Sequence, residues 1–130
     1  MLCSDRAVNT KTLPVPRLRI VFDGETAFGP GKAELLEAIV ETGSIAAAGR
    51  RLDMSYRRAW LLVDELNHMF VEKVVVTAKG GKRGGGAKLT STGENVLSVY
   101  RRMEGIAFKK MAKELTKLQG LTGSSKGEEP

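Results

Sequence analysis

The side chains best equipped for chemistry lie in two short clusters. The first is Ser55-Tyr56-Arg57-Arg58, a hydroxyl, a phenol and two guanidinium groups at consecutive positions. A serine at a helix start accepts a backbone N–H, and the free N–H groups of the turn behind it suit a phosphate. Arginine forks onto guanine O6 and N7, while tyrosine contacts phosphate or base. The second cluster is Lys79, Lys82, Arg83 and Lys88, with Lys82 and Arg83 inside the run Gly80-Gly81-Lys82-Arg83-Gly84-Gly85-Gly86. Cations on a glycine-rich loop can track a backbone or a minor groove. Other chemistry is poorly supplied. A single His68, and a single Cys3 in a polar stretch, exclude a disulfide framework and a cysteine-based zinc site. They also leave no nucleophile–base pair, so neither an enzyme nor a cofactor is expected. The glycine run is not a P-loop, because Arg83 follows Lys82 where a hydroxyl belongs. Gly31-Lys32 fails as well, with Thr26 at the first glycine position and Ala33 at the hydroxyl position.

The charge distribution favours the same stretch. The 130 residues carry 21 basic and 15 acidic side chains, a formal +6. Residues 17–49 hold three basic and five acidic groups, whereas residues 50–102 hold eleven and five. Concentrated positive charge is the electrostatic footprint of a nucleic-acid binder, although a basic solvated surface has the same composition. At 42% hydrophobic the chain can build one core, and no apolar run reaches the roughly 18 residues that span a bilayer. No membrane association is expected, and the absence of a signal-peptide block points to the cytoplasm.

These clusters need elements to hold them. Met1–Pro16 reads as a flexible leader and Gln119–Pro130 as a disordered tail, leaving 17–118 as one domain. Arg17–Asp23 alternates, with Leu18, Ile20 and Phe22 on one face, which predicts a half-buried strand that Gly24 to Gly31 interrupts. From Lys32, Leu35, Leu36, Ile39 and Val40 recur at helical spacing, and Gly43 ends the run. Ser44 then caps a short helix rich in small residues, through Leu52. Ser55 caps a third helix with a stripe at Ala59, Leu62, Val63, Leu66 and Phe70. On that helix Arg57, Leu61, Asp64 and His68 fall opposite the stripe, and Trp60 at its boundary is expected to pack against the following hairpin. His68 is read as a solvent-facing residue without chemistry. Val74 to Thr77 and Ala87 to Leu89 predict two strands around the glycine run. Thr90 or Ser91 caps a long last helix, with Glu94 placed to close a capping box with Ser91.

Three helices, a tight turn between the second and third, and then a hairpin predict an α+β, mainly helical fold: a winged helix-turn-helix with a long C-terminal helix. Ser44, Ser55, Tyr56, Arg57, Arg58, Lys79, Lys82 and Arg83 are the candidate contacts to double-stranded DNA. Along the last helix Val96, Tyr100, Met103, Ala107, Met111, Leu115 and Leu118 form an apolar stripe about six turns long. A helix of roughly 40 Å outreaches a core of about 13 Å radius, so Tyr100, Met103, Ala107, Met111 and Leu115 are expected to form a homodimer contact.

Gly43-Ser44-Ile45 and Met54-Ser55-Tyr56-Arg57-Arg58-Ala59-Trp60, taken with the wing from Gly80 to Thr90, resemble the DNA-binding domain of ModE-type molybdate-responsive transcriptional regulators. More distantly they are similar to the winged helix of LysR-type regulators. The resemblance spans roughly residues 17–118 and implies a dimeric, sequence-specific regulator. It puts Ser44, Ser55, Tyr56, Arg57 and Arg58 on the groove-facing helix-turn-helix, and Lys82 and Arg83 at the wing tip. Regulators of this kind continue into molybdate-binding domains with a Ser-Ala-Arg-Asn type motif. None occurs in this sequence, so a molybdate effector is not expected of these residues. A winged-helix protein-interaction module and a direct molybdate-binding protein are the alternative readings.

Overall fold

In the computed structural model, which describes residues 14–78 and 86–123, a hairpin precedes three helices, a second hairpin follows them, and two further helices come after it. Strands β1 (Ile20–Asp23) and β2 (Thr26–Phe28) pair antiparallel, with Ile20 opposite Phe28 and a bulge before Asp23. The strand β2 was not expected. Three residues carry no measurable alternation, and the turn is only two residues, Gly24 and Glu25, with Gly24 at φ +59°. Leu18 and Ile20 are half-buried against the core as anticipated, but Phe22 is exposed, its ring meeting that of Phe70 in a T-shaped pair with centroids 6.1 Å apart.

Helix α1 (Pro30–Thr42) starts two residues before Lys32, with Pro30 in the first turn, where its missing N–H costs nothing. Leu35, Leu36 and Ile39 are fully buried, while Val40 faces solvent. Gly43 ends the helix in the left-handed conformation (φ 74°), its N–H donating to the Ile39 carbonyl. Helices α2 (Ile45–Arg51) and α3 (Tyr56–Met69) follow, each capped by the serine before it. Strands β3 (Val75–Ala78) and β4 (Gly86–Leu89) form an antiparallel hairpin, with Val75 opposite Leu89 and Ala78 opposite Gly86.

Helix α4 (Ser91–Lys110) is capped by Thr90, whose Oγ1 accepts the Gly93 N–H at 3.0 Å. The expected Ser91–Glu94 box is not formed. Thr90 is already fixed from the strand side, its N–H donating to the Val74 carbonyl and its hydroxyl to the Lys73 carbonyl, so tertiary pairing selects the cap. The last helix is also not continuous. Met111 leaves helical geometry (φ −99°, ψ 7°) before α5 (Ala112–Leu121) begins.

Leu18–Arg101 forms one compact unit; the described part of a second comprises residues 14–17 and 102–123. The core of the first joins Phe28, α1, Ile45, Ala48, the inner face of α3, Val74, Val75 and Leu89. Tyr100 belongs to this core, which corrects its expected place at a dimer contact. Its ring meets Phe28 edge-on at 5.0 Å and its hydroxyl donates to the Leu18 carbonyl at 2.7 Å. In the second unit Leu115 is buried, Met103, Ala107 and Met111 are half-buried, and Leu118 is exposed. Among the described residues no helix is long and apolar enough to cross a membrane, and no cluster could hold a metal ion.

Candidate nucleic-acid interface

The turn between α2 and α3 is set by small residues. Gly49 is buried, and a Cβ there would lie 3.2 Å from the Ala59 Cβ and 3.4 Å from the Met54 carbonyl, so the helices cross where one has no side chain and the other only a methyl group. The connection, Leu52 to Ser55, is four residues long and closes on α2 itself: Asp53 donates to the Arg50 carbonyl and Met54 to the Gly49 carbonyl. Asp53 takes a left-handed φ of 60°, which its short polar side chain tolerates better than most. Ser44 Oγ accepts the Ala47 N–H and Ser55 Oγ accepts the Arg58 N–H, both at 3.0 Å. Among the described residues neither hydroxyl has an acceptor of its own, which leaves its proton for a phosphate oxygen.

Beyond the Ser55 cap, Tyr56, Arg57 and Arg58 are all exposed, while Ala59, Leu62, Val63 and Leu66 face the core. Arg57 and Arg58 have no carboxylate partner among the described residues. Three carboxylates of the same unit are engaged by other cations: Glu41 by Arg51, Glu37 by a two-pronged contact from Arg101, and Glu65 by Lys32 at 3.3 Å. The outward face therefore begins electropositive and turns acidic only at Asp64. His68 sits beyond it, exposed, its Nδ1 2.8 Å from the Asp64 carbonyl. Trp60 lies at the edge of the face, ring to ring with Tyr56 at 6.2 Å, and lines a cleft of about 300 Å³ shared with Val75, Val76 and Thr77 of β3. This is the hairpin side expected of it.

What binds α3 to the hairpin is Asn67, a residue the sequence reading passed over. Its Oδ1 accepts the N–H groups of Val74 (2.7 Å) and Val75 (3.0 Å), and its Nδ2 donates to the Val75 carbonyl (3.0 Å). An asparagine on the stripe side of an amphipathic helix, just before a β-branched run, was the available signal. The other strand is held too: the Ala87 N–H donates to the Gly43 carbonyl at 2.9 Å, tying β4 to the end of α1. Lys88 is exposed on β4. Lys79, Lys82 and Arg83 lie outside the described residues.

No family model matches the chain. Searches of curated proteins and solved structures do find relatives. The molybdenum transport protein ModE of Azotobacter vinelandii is 37% identical over 95 residues, which is 73% of this chain and 35% of that protein. The DNA-binding transcriptional dual regulator ModE of Escherichia coli K12 is 37% identical over 71 residues, 55% of this chain and 27% of that one. Over those stretches the chain is homologous to ModE-type regulators. It spans about a third of the length of the ModE relatives it matches. The crystal structure of the CbnR DNA-binding domain in complex with DNA superposes with a TM-score of 0.50 at 23% identity, over 65% of this chain and 91% of that one. That likeness makes the fold a winged helix-turn-helix, as the ModE resemblance implied.

Proposed function

We propose that the chain binds duplex DNA and regulates transcription, with α3 in the major groove and the β3–β4 hairpin on the flanking backbone. The observation that carries the reading is the first turn of α3: two exposed arginines without carboxylate partners among the described residues, on the second helix of a helix-turn-helix, behind a serine cap. The homologue whose name describes a DNA-binding dual regulator supports it. In this reading Arg57 and Arg58 reach base edges and phosphate, and Tyr56 contacts either. The Ser44 and Ser55 hydroxyls donate to the backbone, and Lys79, Lys82, Arg83 and Lys88 supply phosphate contacts. Two copies pair through Met103, Ala107 and Met111 with the exposed Leu118 beside them, Leu115 being buried within its own chain; the protein works in the cytoplasm, and these residues neither sense molybdate nor catalyse a reaction.

A mobility-shift titration against salt tests it. Each phosphate contact contributes a slope of about −0.9 in log K against log salt, so the four hairpin cations alone give about −3.6. A flat salt response would falsify DNA binding and favour a protein-interaction module. Calorimetry with molybdate is expected to show no binding heat; saturable heat would restore the oxyanion-binding alternative.

A further inference from the structure

Leu61 stands in the middle of the outward face of α3, four residues after Arg57 and three before Asp64, with 53% of its surface exposed. The inner face of the helix is complete without it, since Ala59, Leu62, Val63 and Leu66 fill the core. Beside it Trp60 and Tyr56 keep 39% and 60% of their surfaces in solvent. Three large apolar side chains thus share the first two turns with two arginines that have no carboxylate partner among the described residues. Helix propensity does not call for a leucine at such a position, where lysine, glutamine or glutamate serve as well. Isolated apolar side chains on a surface need no explanation, but a cluster of them bordered by unpaired cations describes a partner that is both anionic and apolar. The major groove of DNA fits that description. Its floor carries one apolar group, the 5-methyl of thymine, between rows of phosphates.

We propose that Leu61 reads a thymine methyl group next to the base pair contacted by Arg57. The proposal rests on the DNA-binding reading above and adds a specific contact to it. Four residues at 1.5 Å each put Leu61 about 6 Å further along the helix than Arg57, or one to two base-pair steps of roughly 3.4 Å. A leucine offers neither donor nor acceptor, so only the methyl distinguishes one base from another for it.

Duplexes enriched from a random pool by the wild-type chain supply the probe. Each thymine of an enriched duplex is replaced singly by deoxyuridine, which removes the methyl and nothing else. The wild type is expected to lose about fourfold in affinity at one thymine of a half-site, the worth of one methyl group taken from water. Leu61→Ala is expected to bind the thymine and uridine duplexes equally, while Leu61→Met, still apolar, keeps the preference. Circular dichroism and urea titration verify that both variants stay folded, as an exposed position allows. Wild-type indifference to every uridine, or an undiminished preference in Leu61→Ala, overturns the proposal and leaves DNA binding standing. So does a Leu61→Ala protein that changes its self-association in place of its uridine preference, which would make Leu61 a protein contact. A pool that yields no enriched duplex overturns the parent reading of sequence-specific binding instead.

Discussion

Arg57 and Arg83 illustrate how two arginines of one binder are expected to fail differently. Arg57 projects from a rigid, serine-capped turn, so its truncation removes a directional contact. Arg57→Ala should cost about 1–3 kcal/mol on the preferred duplex and relax the choice of base at one position. Arg83 belongs to the glycine-rich segment that links β3 to β4 in the sequence, where affinity comes from charge. Arg83→Ala should weaken all duplexes by a similar factor and make the salt slope shallower by about 0.9. Equal losses on specific and random DNA for both variants would show that the two roles are not separate. Asn67 acts at the same scale but through structure. Replacing it by leucine leaves the Val74 and Val75 N–H groups without their acceptor, each worth roughly 1–3 kcal/mol when buried. A urea midpoint unchanged in Asn67→Leu would show that water replaces the amide.

At the scale of elements, the N-terminus of α4 is the most tightly constrained joint. Gly93 is buried, and a Cβ there would sit 3.0 Å from the Val74 carbonyl carbon, 3.2 Å from its Cα and closer still to its oxygen. The obstruction is backbone that Thr90 and Asn67 hold on either side, so it cannot yield cheaply. Gly93→Ala should therefore destabilise the chain by about 1–3 kcal/mol, despite alanine's better helix propensity. A thermal midpoint lower by several degrees is the expected readout, and a raised midpoint would mean that the helix shifts away at no cost. This joint also marks the limit of what the sequence discloses. Stripe spacing, Gly43 and the two serine caps are local signals, and α1, α2 and α3 stand where those signals put them. The choice of Thr90 over Ser91 is not local, because it depends on two carbonyls some seventeen residues earlier. Gly93 is likewise silent in the sequence, since its requirement is the approach of a strand. The exposed residues of the first turn of α3 were legible as types, arginine and tyrosine after a serine, because the capped helix itself presents them. Asn67 was not, since an amide on a helix is informative only once its partner strand is known.

For the whole molecule the open quantity is how many copies bind. The apolar positions of the last helix divide: Tyr100 is taken into the core of its own unit, Leu115 is buried, and Met103, Ala107 and Met111 keep part of their surface. Met111 caps α5, its carbonyl accepting the Leu115 N–H, and Leu118 lies seven residues on, about two turns along; Met111 is half-buried and Leu118 57% exposed. A pair of apolar side chains at that spacing forms one face, and an exposed face of this kind is most often closed by a two-fold copy of itself. Two copies would present two α3 helices, and half-sites about 34 Å apart, one turn of DNA, would then bind far more tightly than either alone. Leu115 is a poor place to test this, since a charge there would disturb a buried position within the monomer. Met111→Glu combined with Leu118→Glu avoids that, placing two carboxylates on the proposed contact. The double variant should keep its helical signal, scatter light as a monomer and lose most of its affinity for a paired site, while its binding to a single half-site stays close to that of the wild type. A wild-type chain that is monomeric at tens of micromolar, or a double variant that holds the paired site undiminished, would make the monomer the binding unit.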